Sequence, residues 1–262
     1  MTSPGGIRAL AWVGVALLTL PLVGLVSRVN WTTLGADLTS RAAMSALGLS
    51  LATSAAATAI CFVLGVPLAI VLARAPRRAA AALRTVVLVP LVLPPMVGGL
   101  ALLALLGRSG LVGKPMFELT GFSLPYTTLA VIIAQAFVAL PFLVITLEGA
   151  LRTSGTAHEQ VAASLGARPW QVLTRVTLPL LTPGLIAGSA LCFARAMGEF
   201  GATALFAGNS EGTTRTMPLA IYTAFNGVGV TQDSAVALAL LLLVSAAAIV
   251  VGLRSWREDA VR

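Results

Sequence analysis

Apolar residues come in long blocks along this chain, without the alternation of a half-buried strand or the single stripe of a helix that faces water on its other side. Six blocks are long enough, or nearly so, to cross a hydrocarbon core of about 30 Å as helices of roughly 20 residues. They cover 9–27, 45–73, 85–106, 125–147, 178–203 and 233–253. The pattern predicts an all-α integral membrane protein with six transmembrane helices, forming one membrane domain over 1–262. Arg8 ahead of the first block has the look of a secretory leader, but the apolar run exceeds a usual signal core and no clean cleavage site follows. That block is therefore expected to be an uncleaved span. Pro67, Pro94, Pro95 and Pro141 lie inside blocks and predict kinks, which neighbouring groups must satisfy at membrane depth.

Composition agrees with lipid as the main solvent: 58% of residues are hydrophobic and 10% charged, against about 25% charged in a soluble domain. The net charge of +8 raises the question of nucleic acid. The basic residues lie between apolar blocks, and no segment offers a basic face with interleaved aromatics, so no nucleic-acid partner is expected. Their distribution is informative instead. One set of block ends carries Arg8, Arg74, Arg77, Arg78, Arg84, Arg152, Arg168, Arg175, Arg254, Arg257 and Arg262; the other carries only Arg28, Arg41, Arg108, Lys114 and Arg215. By the positive-inside rule both termini and the loop carrying Arg152 to Arg175 face the cytosol. Cys61 and Cys192 sit inside apolar blocks and are expected to behave as small buried hydrophobes.

Two connecting segments are long. On the outer side, 204–232 is first polar and Gly-rich and then amphipathic through Met217, Leu219, Ile221, Tyr222 and Phe225. It predicts either a short helix facing a partner or a loop laid against the bundle. On the inner side, 157–179 reads AHEQVAASLGARPWQVLTRVTLP. Apolar Val161, Leu165, Trp170, Val172, Leu173 and Val176 among polar and basic neighbours suit two short helical pieces over 157–176. Gly166 supplies the turn between them because it tolerates positive φ. Pro169 can open the second piece, where a missing N–H costs nothing. Such an element between the fourth and fifth spans is built to be gripped by a protein, or else to lie on the headgroups.

Gln160, Val161 and Ala162, then Gly166, then Val176, Leu178 and Pro179 resemble the cytosolic Glu-Ala-Ala, Gly, hydrophobic-x-Leu-Pro signature of ABC importer permeases. Gln160 replaces the signature acid, and Glu159 offers a carboxylate one position early. The resemblance implies a cytosolic coupling helix, with Glu159, Gln160, Ala162, Gly166, Val176, Leu178 and Pro179 as residues coupling it to an ATPase. It further implies a cytosolic ABC ATPase dimer, a second copy of this chain and an extracytoplasmic oxyanion-binding protein as partners. ATP and Mg would be bound by the ATPase, with no cofactor on this chain. That agrees with the absence of a phosphate-binding G-x-x-x-x-G-K-[ST]: Gly113 and Lys114 are followed by Pro115, where Ser or Thr would be needed. No catalytic residue or metal ligand is expected, because the single histidine, His158, lacks companions.

A second resemblance is to the molybdate branch of the molybdate and sulfate permeases, carried by 197–203 (MGEFGAT) and 91–99 (LVLPPMVGG). It implies import of molybdate, with tungstate, by ATP-driven alternating access; sulfate and thiosulfate permeases share much of both runs and stay open as the alternative. Arg195 falls at membrane depth, where an ionisable group usually faces an interior or aqueous path and has a partner, and Glu199 lies one helical turn on. Arg195, Glu199, Thr203, Pro94 and Pro95 are the candidate lining of a translocation path, with a purely structural Arg195–Glu199 pair as the competing reading. Gly184 and Gly188 form a G-x-x-x-G that would permit close packing. Some relatives carry a cytosolic regulatory domain after the last span; none is expected here. A secondary anion transporter would need a coupling carboxylate in the membrane, for which only Glu199 is available, and an enzyme would need clustered reactive groups that are not visible.

Overall fold

The computed structural model describes residues 5–227 and 232–259, with side chains described as far as residue 248. The chain opens with α1 (Gly5–Ser27), a helix with no buried residue. A short α2 (Leu34–Thr39) leads to α3 (Arg41–Arg74), whose first turn is closed by the Ser40 hydroxyl accepting from the Ala43 N–H at 3.2 Å. Pro76 sets where α3 stops: the residue before a proline is pushed out of the helical region, and Ala75 is extended at φ −67°, ψ 149°.

The third block does not form one straight span. α4 (Arg77–Val92) and α5 (Pro95–Leu106) meet at an angle of 111°. Two successive prolines cause the break. Leu93 and Pro94 are both extended, and neither Pro94 nor Pro95 can donate to a continuing helix. The kink expected at these prolines is thus a corner, and 85–106 is two elements. α6 (Gly113–Thr120) follows and ends at Gly121, whose φ of +70° gives the left-handed cap.

The central helix is α7 (Thr128–Ser154), started by the Thr127 hydroxyl, which accepts from the Ala130 N–H. Beyond it come α8 (Ala157–Ser164), α9 (Pro169–Val172), a π-helical turn (Leu173–Thr177) and α10 (Leu178–Met197). The last elements are α11 (Gly201–Phe206), α12 (Met217–Asn226) and α13 (Gln232–Asp259). Four stretches, Gly5–Ser27, Arg41–Arg74, Thr128–Ser154 and Pro169–Met197, are long and apolar enough to cross a membrane, and the bent pair makes a fifth if it counts as one span. Among the described residues α13 is apolar over Gln232–Ala248, a shorter stretch. Arg262, used in the charge comparison, lies outside the described residues.

α7 packs against α3 on one side and α10 on the other around Cys61, Leu72, Leu143, Leu147 and Cys192, all fully buried. Lipid supplies no hydrophobic drive between apolar helices, so close approach through small residues carries such contacts. Gly184 and Gly188 meet α7 directly: a Cβ on Gly184 would stand 3.0 Å from the Ala150 Cβ, and one on Gly188 2.9 Å from a Leu143 methyl. A second apolar cluster joins α5, α7 and α11 through Leu102, Val131, Ala202 and Phe206. A third joins α3, α12 and α13 through Ala46, Met217, Ala220 and Leu238. The amphipathic part of the outer segment is therefore a helix laid against the bundle, with Met217 and Leu219 buried and Tyr222 and Phe225 exposed.

Candidate functional site

Between α7 and α10 the chain leaves the bundle and returns. Gly155 at φ +65° turns it out of α7, and Gly166 at φ +85° turns it between α8 and α9. Open space surrounds both glycines, so backbone conformation rather than crowding requires them there. Pro169 opens α9, and the Arg168 N–H ahead of it donates to the Gln171 side chain at 2.8 Å. Three large apolar side chains of the segment, Val161, Leu165 and Trp170, stand 61%, 84% and 71% exposed.

Most polar residues of the segment are exposed, but Glu159 and Thr177 turn inward. Glu159 Oε1 accepts from Arg74 Nη2 at 2.5 Å and from Thr177 Oγ1 at 2.6 Å. One carboxylate thereby ties α8 to the end of α3 and to the buried entrance of α10. The Gln160 amide donates back to Thr156 Oγ1 on its own helix. Ala162 and Val176 are half-buried, Leu178 packs on the α3/α7/α10 core, and Pro179 is exposed. Because Arg74 is 44% exposed and Glu159 18%, the pair contributes modestly, about 1 kcal/mol with its hydroxyl bond. Glu159→Ala is expected to release α8 locally without unfolding the bundle. Amide hydrogen exchange across Ala157–Ser164 should accelerate about fivefold, and unchanged exchange would mean that the backbone turns alone hold the segment.

A second constellation lies at the far end of α10, about 27 Å along the helix from Thr177 at 1.5 Å per residue. Arg195 Nη1 meets Glu199 Oε2 at 2.7 Å, and Glu199 Oε1 accepts from the Ala202 N–H at 2.8 Å. The carboxylate is 1% exposed and both its oxygens are engaged. Arg195 occupies the last turn of α10, where a cation suits the helix dipole, and Glu199 caps α11, where an anion does. The pair joins the end of α10 to the start of α11, and Arg195, 27% exposed, is the more open of the two partners.

The two runs singled out separately in the sequence pack against each other here. A Cβ on Gly201 would stand 2.9 Å from the Pro95 Cβ, and one on Gly99 2.9 Å from the Ala202 carbonyl. Pro95, Glu199 and Thr203 thus belong to one joint, with Pro94 as the N-cap of α5. Thr203 is fully buried, and its hydroxyl makes no hydrogen bond. On α7, Gln135 is fully buried with both ends of its amide equally unpaired. Sequence reasoning missed Gln135, a lone amide in an apolar block. It also missed Arg84, which pairs with buried Glu148 from another helix; only the Glu148–Arg152 half of that triad, four residues apart, has a local signature. Cys61 and Cys192 are free and buried, with the Cys61 thiol donating to the Ala136 carbonyl. Among the described residues no group of three or more His, Cys, Asp or Glu could hold a metal ion.

The described residues thus form a bundle of long apolar helices with a short, partly apolar helical segment projecting between two of them. The chain belongs to the family of binding-protein-dependent transport system inner membrane components, which it matches over residues 65–258. It is 52% identical over 243 residues to the molybdenum transport system permease protein ModB of Mycobacterium tuberculosis, covering 92% of this chain and 90% of that one. Against ModB of Escherichia coli it is 42% identical over 143 residues, 55% of this chain and 62% of the relative. In fold it resembles a chain of a bacterial alginate ABC transporter solved with its periplasmic protein, with a TM-score of 0.73, 18% identity and 94% and 92% of the two chains covered. A chain of the methionine transporter MetNI in inward-facing form gives 0.64 at 19% identity, covering 86% of this chain and all of that one.

Proposed function

We propose that this chain is the membrane subunit of an ATP-driven importer that carries molybdate into the cytoplasm. The observation that carries the reading is the 52% identity, across nearly the whole of both chains, to a molybdenum transport permease. In this reading α13 completes six spans, both termini lie in the cytosol, and two copies form the path between them. A cytosolic ATPase dimer binds ATP and Mg and grips the exposed Val161, Leu165 and Trp170. An extracytoplasmic binding protein delivers the anion to the other side.

The geometry suggests how force would pass. The apolar triad offers grip, Glu159 fastens α8 to α3 and α10, and α10 runs from there to the Arg195–Glu199 joint against α5. A movement of α8 imposed by closing ATPases would reach α10 as displacement of a stiff helix. With Arg195 engaged by Glu199, a dianion meets a largely neutralised site, so strong selection belongs to the binding protein and weak holding to the membrane.

The test is uptake of labelled molybdate and labelled sulfate at low external concentration, with and without this gene. A fall in molybdate uptake alone, relieved by excess molybdate, is the expected result. A fall in sulfate uptake alone would move the substrate to sulfate, and no change in either would defeat the oxyanion reading. Labelling of a Ser154→Cys variant by a membrane-impermeant maleimide, in right-side-out against inverted vesicles, tests sidedness: reaction only in inverted vesicles is expected.

A further inference from the structure

At the end of the bundle carrying α8, a cavity of about 380 Å³ opens between the start of α4 and the end of α7. Arg77, Arg84 and Arg152 line it, and Ala73, Ala80 and Ala81 are among the small side chains that leave it room. Buried Glu148 holds two of the three guanidiniums in place: it pairs with Arg84, and its Oε1 meets Arg152 Nε at 2.9 Å. Each guanidinium carries five N–H donors. Arg84 spends Nε and Nη2 on Glu148 and Arg152 spends Nε, which leaves the other donors at the cavity. Arg77 is exposed and makes no ion pair among the described residues. Three cations face one carboxylate.

The start of α4 deepens the imbalance. Arg77 and Arg78 occupy its first turn, which has no acidic residue and no side-chain cap. A helix N-terminus already concentrates positive potential through its unpaired N–H groups, and cations there are unfavourable unless an anion is present. Arginine forks match phosphate oxygens two at a time. Two turns beyond Arg84, on the same face of α4, Leu91 is 43% exposed, so an apolar surface continues from the charged one. A free phosphate needs no such surface; a lipid does.

We propose that this cavity binds the phosphate of an anionic phospholipid of the cytosolic leaflet, its acyl chains running along α4 past Leu91. The proposal rests on the orientation given above, which places this end at the leaflet where basic pockets between helices meet anionic headgroups. Bound lipid would tie α4 to the end of α7 and, through Arg74, which lies between lining residues Ala73 and Ala75 and pairs with Glu159, brace the segment that the ATPase grips.

The experiment is native mass spectrometry of the intact permease–ATPase complex, purified from vesicles containing phosphatidylglycerol and phosphatidylcholine. Phosphatidylglycerol should be retained in preference, and Arg77→Gln combined with Arg152→Gln should reduce that retention about tenfold while the complex stays assembled. Arg84 and Glu148 remain paired in that variant, so the helices keep their contact. Equal retention of both lipids would overturn the proposal. Displacement by inorganic phosphate would overturn it in favour of a soluble anion, and loss of ATPase co-purification with lipid retention unchanged would assign the arginines to the partner protein. Maleimide labelling at Ser154→Cys reports orientation independently, so an error in the orientation is distinguishable from an empty cavity.

Discussion

Glu199→Ala is expected to lower the thermal midpoint of the purified protein by about 10 °C, corresponding to about 3 kcal/mol. Two losses combine. Arg195 keeps its charge without a counter-ion, and the Ala202 N–H, in a fully buried residue, loses its acceptor. The figure stands at the low end for a broken buried pair because Arg195, at 27% exposure, can turn partly toward solvent. Glu199→Gln separates the two terms: it keeps an oxygen for Ala202 and removes only the ion pair, so its cost should fall between wild type and alanine. Replacing Arg195 and Glu199 together by leucine and methionine should recover most of the loss, since an apolar pair strands no charge. Unfolding can be followed with a thiol-reactive dye, because Cys61 and Cys192 are both fully buried and free in the folded protein. A Glu199→Ala protein that melts with wild type would show that the joint contributes nothing to the fold.

Gly99→Ala should be nearly as damaging, although alanine is the better helix former by about 1 kcal/mol. The new methyl would lie 2.9 Å from the Ala202 carbonyl oxygen and 2.9 Å from the Leu205 Cβ. Two of the three nearest atoms are backbone, so α5 and α11 must part rather than a side chain rotate. Overpacking of this kind costs about 1–3 kcal/mol, and here it falls on the contact between the two sequence runs that mark the family branch. Transport should fall further than stability, because the displaced helix ends at the Glu199 joint. Gly48→Ala is the matched control: nothing lies within 4 Å of the added carbon, and the change should raise the midpoint by a degree or two through helix propensity alone. If both substitutions behave alike, close packing of α5 on α11 is not what Gly99 provides.

Much of the architecture was legible before any coordinates. Apolar runs of about 20 residues predict membrane helices because only an internally hydrogen-bonded backbone survives in lipid, and α1, α3, α7 and α10 overlap four of the predicted blocks, with ends up to seven residues away. The positive-φ turn at Gly166 and the start at Pro169 were legible for the same kind of reason: each residue's own backbone chemistry restricts what it can do. Even the Arg195–Glu199 contact could be read, since four residues on one helix are neighbours wherever the helix goes.

What the chain alone could not show is which surfaces meet. Prolines at 94 and 95 announce a kink, but an angle of 111° is chosen by what α5 packs against, namely α11 and α7. Glu159 was legible as a carboxylate near a signature and illegible as the fastening of α8, because Arg74 and Thr177 reach it from 85 and 18 positions away. Arg84 and Glu148 are 64 positions apart in the chain and adjacent in space. Local backbone preference and hydrophobic periodicity are properties of neighbouring residues, so sequence by itself determined the helices, their turns and their i,i+4 pairs. The joint beside Pro95, the anchoring of the projecting segment and the arginine-lined cavity arise from helix pairing, and only the tertiary structure decided them.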